Sequence, residues 1–328
     1  MPTDVAEAFW ITAPGSGELR RETLPAATQD EVTVQTLHSG LSRGTESLVF
    51  RGEVPASEYA RMRAPFQAGE FPGPVKYGYA SVGRVETGPA ALKGKTVFCL
   101  YPHQTRYVVP LTAVLPVPLA VPAGRAVLAA NLETAVNAVW DAELQAGQRV
   151  AVVGAGTVGI LTAWCARQLA GCEVTLIDIN PRRAAIADVF GLAFATPARA
   201  AGLSQQLQRI FHTSGTESGL RLALELAAFE AIIIEMSWYG TRAISLPLGQ
   251  AFHALRLTLK SSQVGSVATS RRGTVTADAR LAYALSLLDA PVLDTLINSE
   301  CDFADLPARM QQIANAPGDV LCHRINYP

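Results

Sequence analysis

Three glycines at GxGxxG spacing, Gly154, Gly156 and Gly159, follow the apolar run RVAVV without interruption. Gly154 permits a tight turn, Gly156 lets the backbone approach a pyrophosphate, and Gly159 lets the next helix lie against the strand. Thr157 and Val158 open that helix, where free N–H groups and the positive end of the dipole favour an anion. A second apolar run, EVTLID, ends in Asp178, 19 residues after Gly159. That is the spacing of a carboxylate that binds adenosine ribose hydroxyls. Such an acid repels a 2'-phosphate, so the pattern favours NAD over NADP. Arg182 and Arg183 follow closely, either as a solvated helix start or as a partial offset to that repulsion.

The elements that must position these residues show in the hydrophobic pattern. From Glu31 to about Pro116 the chain is a series of short β-rich runs broken by Gly and Pro: EVTVQTLHSG, KYGYASVGRVETG, KTVFCLYPHQTRYVVP. A Pro-punctuated linker then leads to an Ala/Leu/Val-rich helix ending before Gly147. Beyond it strand and helix alternate, RVAVVGAG, VGILTAWCARQLAG, EVTLIDIN, PRRAAIADVFG, as in a parallel sheet with crossover helices. The runs LRLALEL, AIIIEMSWYG and LRLTLKSSQVG read as the remaining strands. The pattern changes again near Ser266, and a tail of two helices and a last strand, VLCHRINY, is expected to rejoin the first domain. The class is therefore α/β, with one domain over 1–117 completed by 266–328 and a doubly wound domain over 118–265.

Composition bounds the partners. Hydrophobic residues make up 49% of the 328 and charged residues 17%, enough apolar surface for two cores. A net charge of -1 and the absence of a Lys/Arg block leave no footprint for nucleic acid or an anionic membrane, so a small molecule is the expected partner. No basic-then-apolar leader and no long apolar span is evident, which points to the cytoplasm. Five cysteines, with no CxxC pair, suggest buried free thiols rather than disulfides or a thiolate zinc site.

With the β-rich part first and the glycine motif after residue 117, the chain resembles the medium-chain dehydrogenase/reductase family over nearly its whole length. SGLSRGTE (39–46) resembles the family's first catalytic loop, GYASVGRVETG (78–88) its GHE segment, and NLETAVNAVWDAELQAGQRVAVVGAG the helix leading into the cofactor strand. The first and third stretches are also similar to the bacteriochlorophyllide a dehydrogenase branch. The resemblance implies a GroES-like β-barrel catalytic domain, a Rossmann domain, hydride transfer with NAD, and a homodimer paired through the last Rossmann strands. It also implies a departure. Where zinc-dependent members carry Cys, His and a Cys or Glu, this chain has Ser42, Tyr79 and Glu133, and hydroxyl and phenol are poor Zn²⁺ ligands. No metal site is expected.

Without a metal, a side chain must manage the proton of an alcohol or ketone. By family position the candidates are Thr45 and Glu46 in the first loop, Tyr79, and Glu133 with Thr134 at the helix start. Glu133 is favoured, because burial at the head of an apolar helix would raise its pKa. Ser42, Thr134 and His103 are expected to line the substrate pocket. Ser237, Trp238 and Tyr239 fall where the family brings a loop against the nicotinamide, Ser237 toward the cofactor and the two rings as a flat wall. Oxidoreduction of a secondary alcohol or ketone leads, reduction of an enone or quinone follows, and a non-catalytic nucleotide sensor remains open.

Overall fold

The computed structural model describes residues 5–328. The chain divides into two compact units, Met1–Ala130 with Leu285–Pro328, and Asn131–Ala284. The changes of sequence texture at 117 and 266 come earlier than both boundaries, because what a segment packs against outweighs its composition. A short helix, Ala123–Ala126, stays with the first unit: Arg125 donates to both carboxylate oxygens of Asp294 at 2.6 and 2.7 Å and to the Leu288 carbonyl at 3.1 Å. Residues 266–284 stay with the second, where Arg280 bonds Glu133, Asn137 and the carbonyl of Ser266.

In the first unit, β1 (Val5–Ala13), β2 (Ser16–Thr23), β4 (Ala68–Gly69) and β5 (Val75–Lys76) form a small sheet in the order β2-β1-β5-β4. A larger sheet has the order β16-β17-β3-β6-β7-β9, with β8 also paired to β3. Its strands are β3 (Glu31–Leu41), β6 (Ser81–Thr87), β7 (Thr96–Cys99), β8 (Arg106–Pro110), β9 (Val114–Pro116), β16 (Ile297–Asp302) and β17 (Cys322–Asn326). Strand β3 is the hub. Its residues Val32 and Val34 bury against Val85, Val97, Tyr107 and Val109, alternate residues facing one interior as the two-residue strand period requires. The helix α1 (Arg43–Phe50) follows β3 directly, and α10 (Leu306–Asn315) packs on α1. The tail rejoins this unit through β17, which pairs antiparallel with β3. Between α1 and α10 in chain order come α2 (Ala123–Ala126) and α3 (Ala129–Ala142), and then the helices of the second unit.

That unit holds a six-stranded parallel sheet in the order β12-β11-β10-β13-β14-β15. The strands are β10 (Arg149–Val153), β11 (Glu173–Ile177), β12 (Ala193–Ala195), β13 (Leu207–His212), β14 (Ala227–Glu235) and β15 (Thr258–Ser261). Between them run α4 (Thr157–Ala170), α5 (Arg183–Val189), α6 (Pro197–Ala200), α7 (Glu217–Leu226) and α8 (Ala251–Ala254), followed by α9 (Ala277–Ser286). LRLALEL is not a strand but the end of α7. Leu220, Ala223 and Leu224 recur at helical spacing and bury on one face, and Thr216 caps the helix by accepting from the Gly219 N–H. The strand beside it is LQRIFH, whose polar Gln208, Arg209 and His212 hide its β character. All five cysteines are free thiols, four of them buried. Among the described residues no helix is long and apolar enough to cross a membrane.

Candidate functional site

The second unit carries the glycine motif in the expected setting. β10 runs into Gly154, whose φ of +112° suits glycine, and α4 begins with Gly156 as its N-cap. A side chain at Gly154 would meet the backbone of Ser214 at 2.6 Å, and one at Gly159 would strike the Gly154 carbonyl oxygen. The helix therefore approaches the strand only because both are glycine. Thr157, Val158 and Gly159 form the first turn, ahead of the first helical bond, Ile160 N–H to the Gly156 carbonyl at 2.9 Å. Strand order reverses between β10 and β13, the place where doubly wound sheets open a crevice for a ligand.

Asp178 follows β11 on that side. Its carboxylate accepts from the Ala155 N–H at 2.6 Å and from the Asn180 N–H at 2.8 Å, so it braces the glycine loop itself. These residues fit a dinucleotide: a cradle closed to any Cβ, a helix N-terminus and a fixed acid. Arg183 is buried on α5, whereas Arg182 is exposed.

On the other side of the reversal lies a cluster in which sequence reasoning found Ser237 and Tyr239 but missed His212, Ser214 and Glu235. Buried His212, at the end of β13, has Nδ1 2.8 Å from Glu235 at the end of β14 and Nε2 2.7 Å from the Ser214 hydroxyl. Tyr239 donates its hydroxyl to Glu235 at 2.9 Å, and burial followed by the Glu235 charge raises its phenol pKa. Ser237 donates its N–H to Glu235 at 2.7 Å and accepts from the Gly215 N–H at 3.1 Å. Tyr239 is thus a tethered ring, while Trp238 is half-buried beside it.

Glu133, favoured as the base, is instead a partner of Arg280. The guanidinium Nε donates to it at 3.0 Å, with both side chains buried. Burial raises its pKa and Arg280 opposes the rise. A carboxylate held in this way serves α3 and α9 as a tie. Thr134, one residue on, is half-buried and has partners of its own.

The first unit gathers the other candidates. Ser42 caps α1, and its N–H donates to the Glu46 carboxylate at 2.7 Å. The other Glu46 oxygen lies 2.7 Å from His103 Nε2, with Glu46 3% exposed and His103 1%. His103 is thus buried against Glu46. Its Nδ1 is 2.7 Å from the hydroxyl of Ser39, which is 2.9 Å from the hydroxyl of Tyr327. The side chains of Ser42 and Thr45 favour ionisation of the Tyr79 phenol more weakly than burial opposes it. Burial, and then the charge of Glu46, hold that phenol protonated far above its ordinary range. Ser39 and Tyr327 had no signal in the sequence, since 288 positions separate them.

Zinc does not fit this donor set. Both oxygens of Glu46 and both nitrogens of His103 are engaged, Ser42 and Tyr79 offer a hydroxyl and a protonated phenol, and Glu133 holds Arg280. Among the described residues no three His, Cys, Asp or Glu side chains are grouped to hold an ion.

Comparison with known proteins places the fold. The structure is similar to L-idonate 5-dehydrogenase from Escherichia coli, with a TM-score of 0.80 at 15% identity over 98% of both chains. It is also similar to the E. coli CFT073 alcohol dehydrogenase rspB complexed with NADH, with a TM-score of 0.77 at 16% identity over 98% of this chain and 99% of that one. A zinc-binding dehydrogenase from Sinorhizobium meliloti bound to NADP gives a TM-score of 0.77 at 15% identity and the same coverage. The fold is the one these dehydrogenases share. In sequence the chain is 31% identical over 136 residues to L-threonine 3-dehydrogenase of Rhizobium rhizogenes, a match spanning 42% of this chain and 39% of that protein. No family model matches.

Proposed function

We propose that this chain is an NAD(H)-dependent oxidoreductase of the medium-chain dehydrogenase type, acting on a secondary alcohol or ketone without catalytic zinc. The observation that carries the reading is the glycine cradle at the strand-order reversal with Asp178 fixed beside it. Gly154, Gly156 and the first turn of α4 would hold the pyrophosphate, Asp178 the adenosine ribose, and Ser237 the loop nearest the nicotinamide. NAD supplies the hydride acceptor and NADH the hydride donor. Tyr79, kept protonated, donates a hydrogen bond to the substrate oxygen, and Glu46 stands next to it as the internal proton store. Ser42 and Thr45 orient the phenol.

The protonated Tyr79 equally suits reduction of an enone or quinone, which needs only an oxyanion stabiliser. Assays with purified protein separate the readings. Alcohol-dependent NADH formation supports the first, NADH-dependent enone or quinone reduction the second, and tight NADH binding with no turnover a nucleotide sensor. Elemental analysis should find well under one zinc per chain, and chelators should leave activity intact; stoichiometric zinc rejects the metal-free reading.

The same reading includes a GroES-like barrel for the first unit, a kinship with the bacteriochlorophyllide a dehydrogenase branch through SGLSRGTE and NLETAVNAVWD, and a cytoplasmic location consistent with five free thiols. It also includes a homodimer. β15 ends the six-stranded sheet as an edge, with Leu259 on it and Phe229 at the start of β14 both exposed, and pairing with a second copy would cover that edge.

A further inference from the structure

We infer that Tyr327, Ser39 and His103 form a proton-supply chain to Glu46, so that a residue of the C-terminal segment positions the proton used at Tyr79. This rests on the oxidoreductase reading above. The chain is drawn from three distant stretches, 39–46, 103 and 327, and its links are 2.9, 2.7 and 2.7 Å. Ser39 is fully buried and His103 and Glu46 nearly so, so bulk water does not compete for these bonds.

Donor accounting gives the chain a direction. A carboxylate only accepts, so His103 Nε2–H donates to Glu46. In neutral His103, Nδ1 then accepts from the Ser39 hydroxyl, and Ser39 accepts from the Tyr327 hydroxyl. Every hydrogen of the resting chain points toward Glu46.

Reduction of one carbonyl consumes one hydride from NADH and one proton. As Glu46 takes the Nε2 hydrogen, the Ser39 hydrogen moves to Nδ1, the Tyr327 hydrogen moves to Ser39, and water reprotonates Tyr327. The proton on Glu46 is then the one delivered to the site, and exchange of the imidazole hydrogen from Nδ1 back to Nε2, with rotation of two hydroxyls, restores the resting order. Oxidation of an alcohol runs the same path outward. Tyr327 is held in place by stacking on Phe303 at 4.6 Å and by its N–H to the Leu37 carbonyl, so loss of the hydroxyl alone spares its packing.

The test uses the full chain and two variants, Tyr327→Phe and Ser39→Ala, with Tyr327→Phe as the one that retains the fold if burial makes the other unstable. Nitrogen NMR of the protein without cofactor should show His103 protonated at Nε2, with an Nδ1 signal that moves in both variants. In steady state, kcat should fall by up to about 10²-fold, the lower end of what general acid–base groups contribute. The KM for NADH should not move, and the solvent deuterium isotope effect on kcat should rise. A His103 unprotonated at Nε2, an Nδ1 signal indifferent to both variants, or wild-type kcat and isotope effect in Tyr327→Phe overturns the chain. Failure of the wild-type protein to turn over any alcohol, ketone, enone or quinone rejects the functional reading instead, and the NMR result still decides the chain.

Discussion

A side chain's chemistry here is set by what it touches. Glu133 was expected at a ligand position by resemblance, yet Arg280 claims it, and truncation would leave a buried guanidinium without its carboxylate. Glu133→Ala should lower stability by about 3–5 kcal/mol, the usual result of breaking a buried pair from one side; an unchanged urea midpoint would show the pair to be dispensable. Tyr79→Phe keeps the ring and removes the donor, so it should cost about 10²-fold or more in kcat with NADH affinity unchanged by calorimetry. His323 supplies a pH dependence. Burial, reinforced by the positive charge of Arg309, depresses its pKa from 6.5 to about 4. The unfolded chain thus binds the extra proton between those values, and stability present above pH 6.5 is lost as the pH falls toward about 4. The shift amounts to about 3 kcal/mol. Urea midpoints should decline over that window in the wild type and flatten in His323→Gln.

At the scale of elements, the β10–α4 junction depends on missing side chains. Gly159→Ala should weaken NADH binding and lower the melting temperature together, because its Cβ would sit 2.6 Å from the Thr213 hydroxyl as well as against Gly154. Gly44, in α1, has open space where a Cβ would go and no positive φ. Gly44→Ala should therefore stabilise the protein by about 0.5–1 kcal/mol, and a lower melting temperature would refute that account of α1. Asp178 links β11 to the glycine loop, so NADH should bind more tightly than NADPH. Asp178→Asn should weaken NADH binding without creating NADPH preference, since the brace to Ala155 is lost along with the charge. Equal affinity of the wild type for both cofactors would remove Asp178 from the ribose.

For the whole molecule, the edge strand β15 makes association the testable property. A single chain is 34.8 kDa, and light scattering at micromolar concentration should return about twice that mass. Leu259→Pro removes an edge donor and should yield monomers without loss of NADH binding. A wild-type mass of one chain would end the dimer reading.

Local patterns were enough for the glycine loop and the strands and helix around it. Strand, turn, helix and acid follow one another between Arg149 and Asp178, and each step depends on residues a few positions apart, so GxGxxG and the run EVTLID reveal the cradle. The absence of thiolate and imidazole at Ser42 and Tyr79 was equally legible. Two things were hidden. LRLALEL, expected as a strand, is helical because short apolar runs fit both periods, and the polar residues of LQRIFH hid the strand beside it. The polar groups were paired by folding alone: Glu46 with His103 across 57 positions, Ser39 with Tyr327 across 288, Glu133 with Arg280 across 147. A side chain's protonation and partners depend on burial and on charges brought beside it through space. Only the tertiary structure could therefore pair Glu133 with Arg280 and Glu46 with His103.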